Sequence, residues 1–257
     1  MSAVGPVLAI AGLSFRTSLR GIRVLALAAF AAIPSLLVVA LAAAHVGPTT
    51  IARDAQALYV DLTLPIVVIV VLLILAVAQF RNEIDDDTLS YLTSRSIPRA
   101  GIVLGKYLGC VAGGILLLVP AALGPVAVAG LAGAPAPASS VLVALTAMTV
   151  LASAAYAALF LTLGLLTPWA LLYGLIYGFL WEELLPLLSG SAPLLTIKFY
   201  VRSVASDLVP SGPLAHLSQA VGLDGAVAAP LLAAVAFLLT AMVVIRYVEL
   251  VPERTSA

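Results

Sequence analysis

Apolar residues along this chain occur in long uninterrupted runs separated by short polar segments. From Tyr107 to Trp181, about 75 consecutive residues include no Asp, Glu, Lys or Arg. One bilayer crossing takes about 20 apolar residues, so this stretch is long enough for three crossings. Lipid offers the backbone no hydrogen-bond partners, and each crossing is therefore expected to be a helix.

The apolar runs and the turn signals between them predict six transmembrane helices. Three of these helices share one run, which is divided by the Gly- and Pro-rich residues 130–137 and by Thr167-Pro168. The predicted helices cover residues 24–44, 62–80, 107–129, 140–166, 169–188 and 225–245. The predicted fold class is an all-α integral membrane protein, with residues 1–257 forming a single transmembrane domain.

Two segments outside the spans are also predicted to be helical. Residues 1–23 place Arg16, Arg20 and Arg23 beside an apolar strip formed by Leu8, Phe15, Leu19 and Ile22. This pattern predicts an amphipathic helix in the membrane interface, although arginines that anchor the first span would look the same. Residues 189–224 are interrupted by Gly and Pro yet rich in apolar residues, which indicates short helices at the outer surface, either a cap over an exit or a packed connector.

Composition agrees with a membrane protein and narrows its chemistry. The chain is 63% hydrophobic and 9% charged, with a mean hydropathy of +1.20. Its formal net charge is zero, which gives no general attraction to nucleic acid. The single cysteine, Cys110, excludes an intrachain disulfide, and His45 and His216 are far apart. We therefore predict no metal site and no catalytic residue.

The distribution of basic residues predicts the orientation. Nine of the twelve lie in the amino-terminal segment, in residues 81–106 or after the last span. Lys and Arg near span ends are retained on the cytoplasmic side. Six spans with both termini cytoplasmic, in a plasma or inner membrane, satisfy this asymmetry.

The predicted spans carry no charge at their centres, where ionisable groups usually mark ion or proton pathways. A proton- or sodium-driven transporter would normally need such a group. Hydroxyl side chains are the polar groups available to line a path, or to bond between helices. They are Thr146, Thr149, Ser153, Tyr156, Tyr173 and Tyr177.

Small residues recur at helical spacing in two places. Glycines at every fourth position form one ridge leading into the third span, and a shorter ridge lies in the fifth span. Such ridges let helices approach closely, and we expect them to serve packing within the subunit more than pairing of two subunits. They comprise Gly101, Gly105, Gly109 and Gly113, and Gly174 and Gly178.

Residues 81–106 form the one sizeable hydrophilic segment on the predicted cytoplasmic side. Asp86 or Asp87 can cap a short helix that carries Leu89 and Leu92 and ends before Pro98. An amphipathic helix in this position is a docking element, and the alternative is a solvated loop.

This segment resembles the second cytoplasmic segment of type-2 ATP-binding-cassette (ABC) exporter permeases, and the six-span layout, amino-terminal helix and external segment extend the resemblance over most of the chain. The family pattern has Glu, then Gly-Thr-Leu, a Leu-rich turn, Pro, Arg and Gly-Lys. Asp87 stands where the family commonly has Gly. The matching positions are Glu83, Thr88, Leu89, Leu92, Pro98, Arg99, Gly105 and Lys106.

The resemblance implies a function as well as a fold. In this family the corresponding loop is a coupling helix that docks on a separate ATPase subunit. It implies that Glu83, Asp87, Thr88, Leu89, Leu92, Pro98, Arg99 and Lys106 take part in coupling. The expected assembly has two ABC ATPase subunits, which bind ATP and magnesium, and two permease subunits in lipid, preferably a homodimer. Export is the direction the family implies.

This chain is not expected to bind nucleotide itself. Three residues separate Gly101 from Gly105-Lys106, where a phosphate-binding loop needs four, and Tyr107 stands where that loop needs Ser or Thr. The chain is thus predicted to be a transport subunit and not an enzyme.

Two other hypotheses remain. Glu182 and Glu183 resemble the Glu-Glu pair of intramembrane proteases that process prenylated proteins, although Leu187 replaces the Arg expected four residues after the second Glu. The alternative is that these two glutamates have no catalytic role and simply end the fifth span at the outer surface. The last hypothesis is a membrane scaffold that recruits a soluble partner without transport.

Overall fold

The computed structural model describes residues 4–44, 47–85, 99–188, 191–209, 211–215 and 220–245, which are helical and include no β-strand. Its α-helices are α1 (Val4–Ser18), α2 (Ile22–Ala31), α3 (Ile33–Ala43), α4 (Pro48–Leu58), α5 (Ile69–Asp85), α6 (Arg99–Leu131), α7 (Ser139–Leu166), α8 (Ala170–Leu175), α9 (Glu182–Leu184), α10 (Ile197–Leu208) and α11 (Leu223–Val244). The prediction of an all-helical membrane fold is confirmed at this level.

Five helical stretches are long and apolar enough to cross a membrane, and a sixth results if α2 and α3 are counted as one bent span. α2 and α3 meet at an angle of 42°. Pro34 lies in the first turn of α3 and cannot donate a backbone hydrogen bond to the preceding turn, which accounts for the bend. At the other predicted break, Thr167 is extended because Pro168 follows it, so α7 ends at Leu166.

The helical stretch that contains the second predicted span extends well beyond residues 62–80. A continuous helical stretch runs from Pro48 to Arg81, through α4, a π-helical part at Tyr59–Val68, and α5. Its 34 residues span about 51 Å at 1.5 Å per residue, well beyond a hydrocarbon core of about 30 Å. Pro65 lies inside the π-helical part, where wider hydrogen bonding accommodates a residue without an N–H group.

The segment predicted as a loop over residues 81–106 is helical at both ends. Arg81 to Asp85 continue α5, and Arg99 to Lys106 already belong to α6. Residues 86–98 lie outside the described part of the chain, and so does the predicted coupling helix. α6 thus begins eight residues before the predicted third span, which places Gly101, Gly105 and Lys106 on a rigid element.

α7 lies at the centre of the bundle, in contact with α5, α6, α10 and α11. α10 belongs to the predicted external segment, and its residues Ile197, Val201 and Ala205 are buried. The Thr196 hydroxyl caps this helix by accepting a hydrogen bond from the Phe199 N–H. The described part of residues 189–224 therefore contains a helix packed into the bundle.

α1 packs against the glycine series of α6. A Cβ built on Gly105 would lie 2.7 Å from Ile10 Cβ, one on Gly109 2.6 Å from Ser14 Cβ, and one on Gly113 3.2 Å from Ser18 Cβ. Each step of four residues along α6 matches a step of four along α1, so the two helices run side by side in the same direction.

The face that α1 buries is not the predicted apolar strip. Ser14 and Ser18 are buried, whereas Leu8 is 61% exposed and Ile22 is 82% exposed. α1 also ends before Gly21, whose φ of 86° lies in the left-handed region and changes the direction of the chain. Arg16 and Arg23 therefore lie on different helices. Ile10, Ser14 and Ser18 occupy the contact with the glycine face, while Leu8 and Ile22 face outward and Phe15 and Leu19 are half-buried.

The second small-residue ridge also packs within the chain. Gly174 lies against Leu73, and Gly178 lies against Ile69, both in α5. Two helices separated by about 100 residues in the sequence are thereby brought into close contact.

We predict that Gly109→Ala lowers the thermal stability of the detergent-solubilised protein relative to Gly130→Ala. Both glycines lie in α6, so the gain in helix propensity is similar, but a Cβ at Gly130 meets no atom within 4 Å. Crowding at Gly109 should cost about 1–3 kcal/mol. Equal melting temperatures for the two variants would contradict the close packing of α1.

Candidate functional site

The strongest candidate site is a buried polar cluster where α1, α5 and α6 meet. We call it the loop-end cluster, because α5 and α6 flank residues 86–98. Its members are Ser14, Ser18, Gln79, Glu83 and Lys106. Burial of so many polar groups in an otherwise apolar bundle requires that they satisfy one another.

Lys106 is the centre of the loop-end cluster. Its Nζ lies 2.5 Å from Glu83 Oε2 and donates a hydrogen bond to the Gln79 carbonyl oxygen. The same ammonium group lies 4.4 Å from the centre of the Phe80 ring, a distance at which a cation is attracted to the aromatic face. Lys106 thereby joins the first turns of α6 to the last turns of α5.

Gln79 and two serines connect this ion pair to α1. The Ser14 hydroxyl donates to Gln79 Oε1 at 2.6 Å and lies 3.2 Å from the Lys106 carbonyl oxygen. Gln79 Nε2 donates to the Ser18 hydroxyl at 2.7 Å. All three helices are therefore held by one hydrogen-bonded network.

The electrostatics of the cluster depend on the pairing of its charges. Lys106 is only 4% exposed, so its ammonium group has lost most of its water. Glu83, the Gln79 carbonyl and the Phe80 ring replace that water. The Glu83 side chain is 30% exposed, so water partly screens the pair, and removal of one partner should cost less than the roughly 3–5 kcal/mol typical of a fully buried pair. The site is consequently sensitive to any displacement of α5 against α6.

The structure brings together two of the predicted coupling residues, Glu83 and Lys106, which are 23 positions apart in the sequence. Arg99 begins α6 and is partly buried. The other predicted coupling residues lie outside the described residues, so their placement stays a prediction. These are Asp87, Thr88, Leu89, Leu92 and Pro98.

Sequence reasoning missed Gln79, Ser14 and Ser18. One signal for Gln79 is its amide within an apolar run, four residues before Glu83 and hence on the same helix face. The signal for the serines is their spacing of four, which matches that of Gly109 and Gly113. Neither signal shows which helix Gln79 or the serines contact, because that depends on how the helices pack.

A second polar cluster lies at the opposite end of the bundle, around Glu182. This residue is fully buried, in contrast to the expectation that the Glu-Glu pair ends a span at the surface. Glu182 Oε1 accepts hydrogen bonds from the Tyr177 hydroxyl at 2.8 Å and the Ile197 N–H at 3.0 Å, and Oε2 accepts one from the Lys198 N–H at 3.0 Å. The carboxylate thus binds the exposed N–H groups at the start of α10, a favourable position for negative charge.

Glu183 makes different contacts. Its Oε1 lies 2.6 Å from Lys198 Nζ, and its side chain is 42% exposed. Nearby, burial lowers the pKa of Arg202 on α10, while the charges of Asp61 and Glu183 oppose that shift. The two glutamates therefore act separately, one as a buried helix cap and the other in a partly exposed ion pair.

The hydroxyl residues predicted to line a path do not share one surface. The Thr149 hydroxyl lies 2.9 Å from the Tyr59 hydroxyl, and Ser153 bonds to the carbonyl oxygen of its own helix one turn back. Thr146 also bonds to its own helix and is half-buried, whereas Tyr173 is 50% exposed. The Tyr177 hydroxyl donates to the buried carboxylate described above. These contacts correspond to hydrogen bonding within and between helices.

Tyr156 is the exception among these hydroxyl residues. It is completely buried in α7, and its hydroxyl makes no hydrogen bond with any residue in the described part of the chain. Its ring stacks on Phe160 at 5.9 Å between centroids.

In the described ranges, no group of three or more His, Cys, Asp or Glu side chains is placed to hold a metal. Neither a family model nor a curated protein matches the chain. Functional assignment consequently rests on this chain's own residues.

We predict that Glu182→Gln is more destabilising than Glu183→Gln. An amide side chain at the first position cannot accept all three hydrogen bonds and carries no charge for the α10 terminus, a loss of about 2–3 kcal/mol. Glu183 forms a partly exposed ion pair worth about 1 kcal/mol at most. Thermal unfolding in detergent measures the difference, and equal effects would contradict the assigned cap.

Proposed function

We propose that this chain is the membrane-spanning permease subunit of an ABC transporter of the type-2 exporter superfamily. In this assignment six spans hold both termini in the cytoplasm, with α2 and α3 as one bent span. Two ATPase subunits dock on residues 86–98 of a permease dimer and supply ATP hydrolysis. Export across the plasma or inner membrane is the favoured direction.

One observation carries most of the proposal: the ion pair between Lys106 and Glu83 ties together the two helices that enter and leave the candidate docking segment. A force applied to residues 86–98 acts on both helix ends at once. Because Lys106 is buried and paired, relative sliding of α5 and α6 would expose or unpair a charge. Rigid joint movement is therefore favoured over independent movement.

The network continues from these two helices to α1. Ser14 bonds to Gln79 of α5 and approaches the Lys106 carbonyl of α6. A displacement at the docking segment would thus move three helices as one body. That property suits a subunit that converts motion of a soluble partner into rearrangement of membrane helices.

The hypothesis of an enzyme centred on Glu182 and Glu183 has less support. Three hydrogen bonds to Glu182 and an ion pair to Glu183 already account for both carboxylates. A scaffold without transport remains the simpler competitor of the permease proposal, since it would also need a docking segment. ATP-dependent flux in reconstituted vesicles separates the scaffold from the permease.

We predict that Glu83→Gln and Lys106→Gln each reduce the stimulation of a partner ATPase by the permease at least about tenfold. Tenfold corresponds to roughly 1.4 kcal/mol, less than the expected cost of leaving one member of the pair unpaired. The measurement uses vesicles that contain the permease and an ABC ATPase subunit that co-purifies with it. Co-purification of the two subunits establishes that the partner is correct.

Glu183→Gln is the matched control, because it breaks another Glu–Lys ion pair at the opposite end of the bundle. It should leave ATPase stimulation within about twofold of the unmodified protein, a change of less than about 0.5 kcal/mol. Membrane insertion and melting temperature, measured for all variants, separate loss of coupling from loss of folding. Normal stimulation by both loop-end variants would overturn the coupling role.

A further inference from the structure

A cavity of about 480 Å³ lies beside the loop-end cluster, between the end of α1, the start of α2 and the last turns of α5. Its volume is in the range of small-molecule sites. Its lining combines polar residues with apolar ones: Thr17, Ser18, Arg20, Arg23, Gln79 and Glu83, and Ile22, Leu27, Ile74, Leu75 and Ala78. The cavity is therefore amphipathic, like the ligand that it would suit.

The polar side of this cavity is positively charged. Arg20 and Arg23 are exposed, and neither forms an ion pair or hydrogen bond within the described ranges. Glu83 also lines the cavity, but its carboxylate already lies 2.5 Å from Lys106 Nζ. Among the described residues, neither guanidinium group is therefore already paired with a carboxylate.

The backbone adds to this preference. Gly21 lies on the cavity wall and precedes α2, which begins at Ile22 without a side-chain cap. The first N–H groups of a helix have no partners within it and favour negative charge. The N–H groups of Ile22 and Arg23, both lining residues, would add to the positive character of this wall.

The apolar side continues toward the expected lipid surface. Leu27, Ile74 and Leu75 line the cavity, and the adjacent α2 residues Ile22 and Leu25 are 82% and 71% exposed. A free phosphate ion would use the cationic side and leave the apolar side in water. A phospholipid would use both sides.

We propose that this cavity binds the headgroup of an anionic phospholipid. Its phosphate lies between Arg20 and Arg23, its glycerol backbone lies near Ser18, and its acyl chains leave along Leu27 and the outer face of α2. Such a lipid would join α1 to the start of α2 across the break at Gly21. This inference requires only that the chain be in a membrane and does not depend on an ATPase partner.

Direct binding of phosphatidylglycerol to the delipidated full-length protein in detergent tests the proposal, with native mass spectrometry as the measurement. One phosphatidylglycerol per chain should bind at least about tenfold more tightly than phosphatidylcholine. Arg20→Gln combined with Arg23→Gln should reduce that affinity at least about tenfold, since both cations that attract the anionic headgroup are removed.

Arg16→Gln is the matched control, because Arg16 is an exposed arginine on α1 that does not line the cavity. It should leave the affinity within about twofold of the unmodified value, which is less than about 0.5 kcal/mol. Leu27→Trp is a second variant that fills the apolar side without changing any charge, and it should also weaken binding.

Three results would overturn the proposal. Equal loss on Arg16→Gln and on the double arginine variant would show general attraction between charged surfaces. Equal affinity for phosphatidylcholine would show that the headgroup charge is not recognised. Full displacement of the lipid by inorganic phosphate at equal concentration would show a site for the anion alone.

Discussion

The absence of side chains along one face of α6 is the constraint on which the polar interior depends. Gly109 and Gly113 let α1 approach so closely that Ser14 and Ser18 reach Gln79, and Gln79 in turn presents its carbonyl oxygen to Lys106. A side chain at Gly109 would move α1 outward and separate these groups. A packing feature thus determines whether a buried charge is satisfied.

In the part of the bundle that the structure describes, buried charges occur near the two ends, and each is matched to a helix terminus or an opposite charge. Lys106 pairs with Glu83 where α5 and α6 approach residues 86–98, and Glu182 caps α10 at the opposite end. Between them the described polar contacts are mainly hydroxyl groups bonded to the backbone of their own helix. This division is compatible with the proposal that a partner ATPase supplies energy from one end of the bundle.

Much of the helix count could be predicted from the sequence, because a bilayer requires long uninterrupted apolar segments. The predicted break at Thr167-Pro168 also matches the end of α7, since a residue before proline disfavours the helical conformation. The buried face of α1, by contrast, could not be predicted from the sequence. Lipid and protein core are both apolar, so a stripe of Leu and Phe does not say which side faces the bundle. The burial of Glu182 was missed for a related reason: its partners include backbone N–H groups of a helix that follows 15 residues later.

The loop-end cluster was predicted in part. The resemblance indicated Glu83 and Lys106 but not the amide of Gln79 or the hydroxyls of Ser14 and Ser18 that connect them to α1.

The side-by-side arrangement of α1 and α6 has a consequence for biogenesis. About 95 residues separate Ile10 from Gly105, so α1 leaves the ribosome roughly 5–20 seconds before its partner is synthesised. During that interval α1 is a newly made amphipathic segment without a docking face, and the membrane surface is the available place for its apolar side chains. The interfacial position that the sequence of α1 predicts can therefore apply to the nascent chain, before α6 is synthesised. Once α6 has been inserted, its glycine face gives α1 a surface to pack against.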